Sequence, residues 1–271
     1  MVLNPAYAGS SQALHAVALG RKQWIRFPGA PLSFSFSIDS PLRDEKNNFA
    51  LVLTHDQIGA TRRQMITGGY AYRLDLGRGR LAFGLQGGLE LWTSGLEDLY
   101  TVDQGDQSFT GHPESLAVPR FGFGTRYETD RFYIGLSAPQ LLWLNTGAAK
   151  RMRPELIRRR FYFARTGFTL PLDPNWTLMP HGLLKYEAGF APQADLGLLL
   201  VLKEKYWLGP TYRTNGDLIL QAALQLNDQL RFGYAYDFQT SALRSLSSGS
   251  HSLSLTYDFL YRVTTTRPRY F

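Results

Sequence analysis

The chain has 271 residues, a formal net charge of +7 and no cysteine. Without cysteine there are no disulfides and no thiolate chemistry. Outside 150–160 the basic residues are scattered, unlike the stripe that binds nucleic acid. The mean hydropathy is −0.22, and no apolar run approaches the roughly 20 residues of a transmembrane helix. Neither value excludes a membrane β-barrel, because alternation halves the apparent hydrophobicity of each strand.

Apolar and polar residues alternate along almost the whole chain, and this period of two is typical of β-strands. A clear example is 32–39, where Leu, Phe and Ile alternate with Ser and Asp. The lengths suit the about 9–11 residues of a membrane-spanning strand. We predict about fourteen strands, at 12–26, 32–39, 48–56, 64–76, 81–92, 117–128, 131–137, 160–170, 176–186, 193–202, 206–213, 218–226, 230–238 and 251–262.

The links between these strands differ in length on the two sides of the predicted sheet. Tight turns lie at 77–80, 129–130, 173–175, 203–205 and 227–229. They alternate with links that include long loops near 94–116, 138–158 and 239–249. Short periplasmic turns and long extracellular loops are typical of outer-membrane barrels. We therefore predict one all-β domain over 1–271, a transmembrane antiparallel β-barrel of about 14 strands, with 1–11 as a periplasmic segment.

A soluble β-sandwich would also show alternation. The polar faces, however, carry many glycines and widely separated charges, which suit a barrel interior better than a solvated sheet. Aromatic residues also cluster near strand ends, as membrane-interface girdles do; Trp24, Trp92, Trp176 and Trp207 fit this interpretation. The charged side chains that we expect to face the lumen are Arg73, Glu90, Arg126, Arg165, Arg213, Arg231, Asp237 and Asp258.

The hairpin Asp217–Phe238 shows the repeating unit. Its Leu, Phe and Tyr residues should meet lipid, and its turn at Asn227 and Asp228 should be periplasmic. Gln221 and Gln225 should point into the lumen together with Arg231 and Asp237.

Several short motifs resemble those of the PorP/SprF family of outer-membrane proteins, which belong to the type IX secretion system of Bacteroidetes. The resemblance spans essentially the whole chain in the family's order. Its motifs are 4–10 (NPAYAGS), 21–24, 28–31, 56–59, 70–73, 132–137, 184–186, 206–209, 233–237 (GYAYD), 249–252 and 268–271. Family members carry a signal peptide and a short segment ahead of Asn-Pro-Ala. Since neither is visible here, residue 1 is expected to lie inside the natural coding region or to mark a trimmed form.

The resemblance implies a FadL-like barrel in the outer membrane of a Gram-negative bacterium, with no cofactor and no enzymatic activity. It implies binding to a secreted protein or adhesin with a type B C-terminal sorting domain, and a role in exporting that protein or anchoring it at the surface, as in gliding motility. Contacts with other secretion components also follow. The alternative function is a channel for a small hydrophobic or polar solute.

The motif Asn4–Ser10 has two interpretations. It is either a periplasmic partner contact or an ordered entry segment whose turn residues steer the chain into the first strand. The second is favoured.

A basic run at 150–160 lies on the predicted extracellular side. Its arginines would bind phosphates of lipopolysaccharide or an acidic surface of a secreted protein, or they form a solvated loop. Trp143 would fold into the barrel mouth, contact a partner or sit at the membrane interface. The predicted partner-binding residues are Trp143, Arg151, Arg153, Arg158 and Arg159.

Catalytic and metal motifs are not found. The five histidines are far apart and lack the spacing of metal ligands. The run 135–139 (GLSAP) lacks the second glycine of a nucleophile elbow. Glu90 and Asp237 would be paired acids of an active site, but salt bridges in the lumen explain them more simply.

Overall fold

The structure, a computed structural model, describes residues 1–11, 13–42, 45–94, 114–143, 159–214, 216–239 and 247–259. Within these ranges the chain is almost entirely β-strand, apart from one turn of 3-10 helix at Pro5–Tyr7. No helix in the described part of the chain has the length and apolarity needed to cross a membrane.

The described strands are antiparallel and follow one another along the chain. They are β1 Leu14–Lys22, β2 Leu32–Pro41, β3 Asn47–Ile58, β4 Thr61–Leu76, β5 Gly79–Ser94, β6 Glu114–Glu128, β7 Phe132–Trp143, β8 Phe161–Phe168, β9 Leu170–Pro171, β10 Trp176–Glu187, β11 Gln193–Leu202, β12 Tyr206–Arg213, β13 Leu218–Gln225, β14 Leu230–Phe238 and β15 Ser250–Phe259.

The sheet closes on itself. β1 pairs with both β2 and β15, and β10 pairs with β11 as well as with β8. The short β9 is separated from β8 by Thr169 and pairs with the same neighbour, β10. We therefore count β8 and β9 together as one strand of the barrel wall, and call each of the wall's strands a stave. The result is a closed barrel of fourteen staves, which confirms the predicted fold. Closure gives each described stave a partner on both sides, as a membrane-spanning sheet requires.

Alternation sorts the side chains between the two faces of the wall. Large apolar side chains cover the outside and are exposed, for example Leu85 (60%) and Leu196 (61%). A soluble monomer rarely exposes so continuous an apolar surface, whereas a lipid-facing surface is apolar. In the predicted hairpin, Phe232 is exposed and Asp237 is buried inside, as the pattern indicated.

The links at one end of the barrel are all short, at 42–46, 77–78, 129–131, 172–175, 203–205 and 226–229. The other end holds the longest connections, at 23–31, 95–113, 144–160 and 239–249. The tight turns predicted from the sequence all lie at the first of these ends. We call the two ends the short-turn end and the long-loop end.

Two strands extend into regions that were predicted to be loops. β6 begins at Glu114, within the predicted loop 94–116, and β7 continues to Trp143, within the predicted loop 138–158. The extension of β7 pairs Trp143 with Arg120 beyond a register shift between Phe121 and Phe123. Because a bulge interrupts the strict alternation of residues, the pattern ended too early.

Candidate functional site in the barrel lumen

Residues 1–11 lie inside the barrel, against the inner wall formed by β4, β5, β6 and β7. We call them the luminal segment. Residues 4–8 are almost completely shielded from solvent. The sequence predicts a periplasmic segment; in the structure it lies in the lumen against the wall, and its side of the membrane stays a prediction.

Asn4 fixes both the turn of the luminal segment and its position on the wall. Its Oδ1 accepts a hydrogen bond from the Ala6 N–H at 2.9 Å. Its Nδ2 donates to the carbonyl oxygens of Thr125 at 3.1 Å and Leu136 at 3.3 Å, on neighbouring strands. A carboxamide combines an acceptor with two donors, and these three contacts use all of them.

Inward-facing glycines leave the space that the luminal segment fills. A Cβ on Gly84 of β5 would collide with the backbone of Ala6, and one on Gly124 of β6 would collide with the side chain of Asn4. The two glycines lie opposite each other in the ladder. Gly135 of β7 continues the cradle, since its Cβ would be 3.0 Å from Asn4 Nδ2.

Tyr7 lies against two arginines of the wall. Its ring centroid is 4.2 Å from the guanidinium carbon of Arg126 and 5.9 Å from that of Arg165. Such cation–π contacts contribute up to about 2 kcal/mol when desolvated. Burial raises the pKa of the Tyr7 phenol, while both arginines act in the opposite direction. The phenol therefore stays neutral at physiological pH.

Charged side chains of the wall bind the backbone of the luminal segment. Arg73 donates to the Ala8 carbonyl at 2.6 Å, and Asp39 accepts from the Gly9 N–H at 2.7 Å. Hydrogen bonds to ionised groups are among the stronger ones in proteins. The segment is therefore held by specific contacts along its length.

A first ion-pair network lies on the same half of the wall. Glu90 is fully buried, with its Oε2 at 2.6 Å from Arg120 Nε and its Oε1 at 3.4 Å from Arg63. Arg63 also binds Asp56 at 3.0 Å and lies 5.6 Å from the ring of Trp92. The network joins four adjacent strands, β3 to β6.

A second network joins β11, β12, β14 and β1, and so crosses the junction between the first and the last strand of the barrel. Asp237 is 2.5 Å from Arg21 and 3.7 Å from Arg213. Arg213 binds Asp195 through two nitrogens, both at 3.0 Å. Glu90 and Asp237 thus belong to separate networks and do not form an acid–base pair. Among the described residues, no group of three or more His, Cys, Asp or Glu is arranged to hold a metal.

The lumen also contains a cavity of ≈ 690 Å³. Val2 and Leu3 of the luminal segment contribute to its lining. Among the other lining residues, cations lie next to aromatic rings: Lys185 Nζ, for example, is 4.9 Å from the ring centroid of Phe161. Arg159 belongs to the lining and pairs with Glu187 at 3.2 Å. The cavity lies towards the long-loop end, since it is also lined by residues of the link 23–31.

The eight charged residues predicted to face the lumen all lie on the inner side of the wall. They are Arg73, Glu90, Arg126, Arg165, Arg213, Arg231, Asp237 and Asp258. They do not form one site: some hold the luminal segment, and others belong to the two networks or to separate pairs.

The residues predicted to bind a partner are only partly described. Arg151, Arg153 and Arg158 lie outside the described residues. Trp143 is half-buried at the end of β7 and packs on the inner face against Leu116 and Val118, together with Trp92. Of the interpretations of Trp143, the structure therefore favours the barrel mouth over the membrane interface.

Two tryptophans predicted to belong to the interface girdle point inward. Trp92 lies beside Arg63 in the lumen, and Trp207 is 7% exposed beneath Arg231, at 4.8 Å. Their place near strand ends suggested a girdle, but their parity along the strand decides the face. Trp92 shares its parity with Glu90, so the signal was present in the sequence.

Sequence reasoning missed the insertion of the luminal segment. The available signal was the set of glycines at inward positions of consecutive strands, Gly84, Gly124 and Gly135. On the sequence alone, these glycines indicate only a barrel interior. They instead mark the close approach of a second backbone.

A closed barrel with an apolar outer surface, an inner face of ion pairs and loops sorted by length is the architecture of an outer-membrane protein. The lumen of this one is partly occupied by its own chain. The chain belongs to the family described as type IX secretion system membrane protein PorP/SprF, which matches residues 1–257. No curated protein sequence matches it.

Solved outer-membrane barrels share the fold at low identity. Omp33 of Acinetobacter baumannii has a TM-score of 0.54 at 6% identity, over 92% of this chain and 100% of that chain. The KdgM porin has a TM-score of 0.46 at 9% identity, over 91% and 100% of the two chains. A mutant of the Rh. blastica porin reaches 0.39 at 7% identity, over 91% and 99%. At 6% identity, the likeness to Omp33 supports the shared fold alone.

Proposed function

We propose that this barrel binds a protein secreted by the type IX system through a type B C-terminal sorting domain, and helps to export it or anchor it at the cell surface. Family membership over residues 1–257 carries the proposal. The cargo or adhesin is the main partner, and other secretion components and lipopolysaccharide are further ones.

The lumen and the long-loop end are the surfaces that we assign to this role. The cavity of ≈ 690 Å³ opens towards the long loops and presents cations next to aromatic rings. Aromatic and arginine side chains are enriched at binding hot spots. The basic residues Arg151, Arg153, Arg158 and Arg159 extend this surface in the proposal, although only Arg159 lies among the described residues.

Copurification from native outer membranes, followed by mass spectrometry, tests the proposal. We expect a secreted protein with a C-terminal sorting domain to accompany the barrel. The matched control is the same protein without that domain, which should not bind. Unchanged secretion and surface display after loss of the gene would contradict the proposal.

The alternative function is a channel for a small solute. The cavity favours it, but the luminal segment lies in the lumen beside the cavity and narrows any path through the barrel. Liposome swelling and planar-bilayer recordings distinguish the two. We expect little conductance from the intact barrel, and solute uptake at porin-like rates would favour the channel. We also propose that the barrel is not an enzyme, since the buried acids Glu90 and Asp237 are engaged in ion pairs and buried Asp39 accepts a hydrogen bond from the Gly9 N–H; robust turnover in a hydrolase screen would contradict this.

A further inference from the structure

The outer surface of the barrel has a shallow groove of ≈ 800 Å³ near the junction of β1 and β15, the first and last strands. Its floor is the part of β1 whose outward residues are the small Ala18 and Gly20, the latter covered by the ring of Phe34, and bulkier side chains of neighbouring strands project beyond this floor. We call this depression the outer groove. Its sides are apolar residues of the adjacent strands: Phe34, Phe36, Leu53, Ile66, Leu253 and Leu255. The dimensions and apolarity suit several acyl chains.

Two cations lie above the outer groove on the same outward face. Lys22 follows Gly20 by two residues on β1, and Arg62 occupies an outward position of β4; both are exposed. Lys22, Leu32, Gln57 and Arg62 are successive cross-strand partners. With a strand spacing of about 4.8 Å, the backbones of the two cationic residues are about 14 Å apart.

These outward cations differ from the cations inside the barrel. Arg63, next to Arg62 in sequence, is paired with Asp56 and Glu90 in the lumen. Neither Lys22 nor Arg62 has a carboxylate partner in the described part of the chain. A cation on the lipid-facing side of a barrel is unfavourable in a depth-dependent way, unless an anion of the membrane meets it.

The row of Lys22 and Arg62 lies at the long-loop end, since these residues adjoin the links 23–31 and 59–60. Long loops face the cell exterior, so the row borders the outer leaflet. Polar outward neighbours lie between the cations and the apolar groove, including His55 and Gln64, whose side chains are 3.4 Å apart.

We propose that the outer groove binds lipopolysaccharide of the outer leaflet. Its acyl chains lie on Ala18 and against the ring of Phe34, which packs over Gly20, and its phosphates bind Lys22 and Arg62. The two cations lie on strands about 14 Å apart, so each can meet one phosphate of a headgroup that carries two, whereas the single phosphate of a phospholipid would occupy one of them. The inference is independent of cargo binding.

Native mass spectrometry of the purified full barrel tests this. The barrel is placed in nanodiscs that contain phosphorylated lipid A, dephosphorylated lipid A or phosphatidylglycerol, and retained lipid is counted. We expect retention of phosphorylated lipid A above both other lipids. Lys22→Gln and Arg62→Gln should each weaken it about fivefold, and the double variant about 30-fold.

Arg78→Gln is the matched control, because Arg78 is an exposed cation at the opposite end of the β4–β5 hairpin; it should retain lipid A as the wild type does. Ala18→Leu fills the groove without changing charge and should reduce retention, with heat-modifiable gel mobility confirming that each variant folds. Equal retention of the three lipids, or a double variant that binds like the wild type, would overturn the proposal.

Discussion

At the scale of single residues, the amide of Asn4 carries the attachment of the luminal segment. Asn4→Asp keeps the acceptor for Ala6 but loses both donors to the carbonyls of Thr125 and Leu136. It also brings a carboxylate against those oxygens. We expect release of the segment to become easier by about 2–3 kcal/mol.

The chain has no cysteine, so a single Ala6→Cys, at a position with 0% exposure, reports release through its labelling rate. Asn4→Asp should accelerate labelling by about 30- to 150-fold. Asn227→Asp is the matched control, because Asn227 uses only its Oδ1, towards Gln229 and Leu230. Equal labelling rates in the two variants would contradict the assigned role of the Asn4 amide.

The glycine cradle gives a second prediction at this scale. Gly84→Ala adds one methyl group that collides with the backbone of Ala6, so the luminal segment should leave the wall or shift along it. Gly68→Ala adds the same group on the outer face, where the nearest atom is 3.9 Å away. In the Ala6→Cys background, we expect the introduced thiol to be labelled faster with Gly84→Ala and at an unchanged rate with Gly68→Ala. If the thiol stays protected with Gly84→Ala, the strand backbone shifts to make room and the prediction is wrong.

At the scale of strands, the network around Glu90 ties β5 to β4 and β6. Glu90→Gln leaves Arg63 and Arg120 close together without their shared carboxylate. Breaking a buried ion pair by removing one partner costs about 3–5 kcal/mol. We expect a loss of that size in the free energy of unfolding, measured by urea titration in lipid vesicles.

The control belongs to the same hairpin. Asp75 is 83% exposed and lies 3.8 Å from Arg80, and Asp75→Asn should change stability by less than about 1 kcal/mol. Similar losses in the two variants would mean that the lumen around Glu90 is well hydrated.

Local alternation predicted the strands well because each strand carries its own two-faced pattern, as in Leu218–Gln225 and Leu230–Phe238. The same rule assigned Arg73 and Asp237 to the polar face. It did not extend β7 to Trp143, since the bulge near Phe121 breaks the period. Trp92 was assigned to the membrane interface because it lies near a strand end, and not from its place in the alternation. That expectation was wrong, because Trp92 points into the lumen.

The luminal segment could not be predicted in the same way. Asn4 contacts Thr125 and Leu136, 121 and 132 residues away, and no local pattern encodes a contact of that separation. The motif 4–10 supplied turn chemistry and a family resemblance. The position of this turn on the wall depends on the inward glycines Gly84, Gly124 and Gly135. These glycines come together only in the folded barrel, so the sequence does not show that they form one site.

At the scale of the whole molecule, loop sorting predicts orientation. Two single-cysteine variants report which side of the membrane each end of the barrel faces. Phe27→Cys lies in the link 23–31 and Asp228→Cys in the turn 226–229, and both positions are exposed. In intact cells a membrane-impermeant thiol reagent should label Phe27→Cys and not Asp228→Cys. The opposite result would reverse the barrel and move the outer groove to the inner leaflet.

The luminal segment touches only part of the circumference, from Asp39 on β2 to Arg165 on β8. It acts as an internal strut for that half, whereas none of the strands β11 to β14 has a comparably extensive contact with its turn Pro5–Tyr7 among the described residues. Local opening follows contact density, so amide hydrogens of β11 to β14 should exchange sooner than those of β4 to β6. A uniform exchange profile would show that the strut adds no rigidity. We therefore expect the barrel to be stiffer on the side of the luminal segment than on the side of β11 to β14, and a passing or docking chain to deform it on that second side.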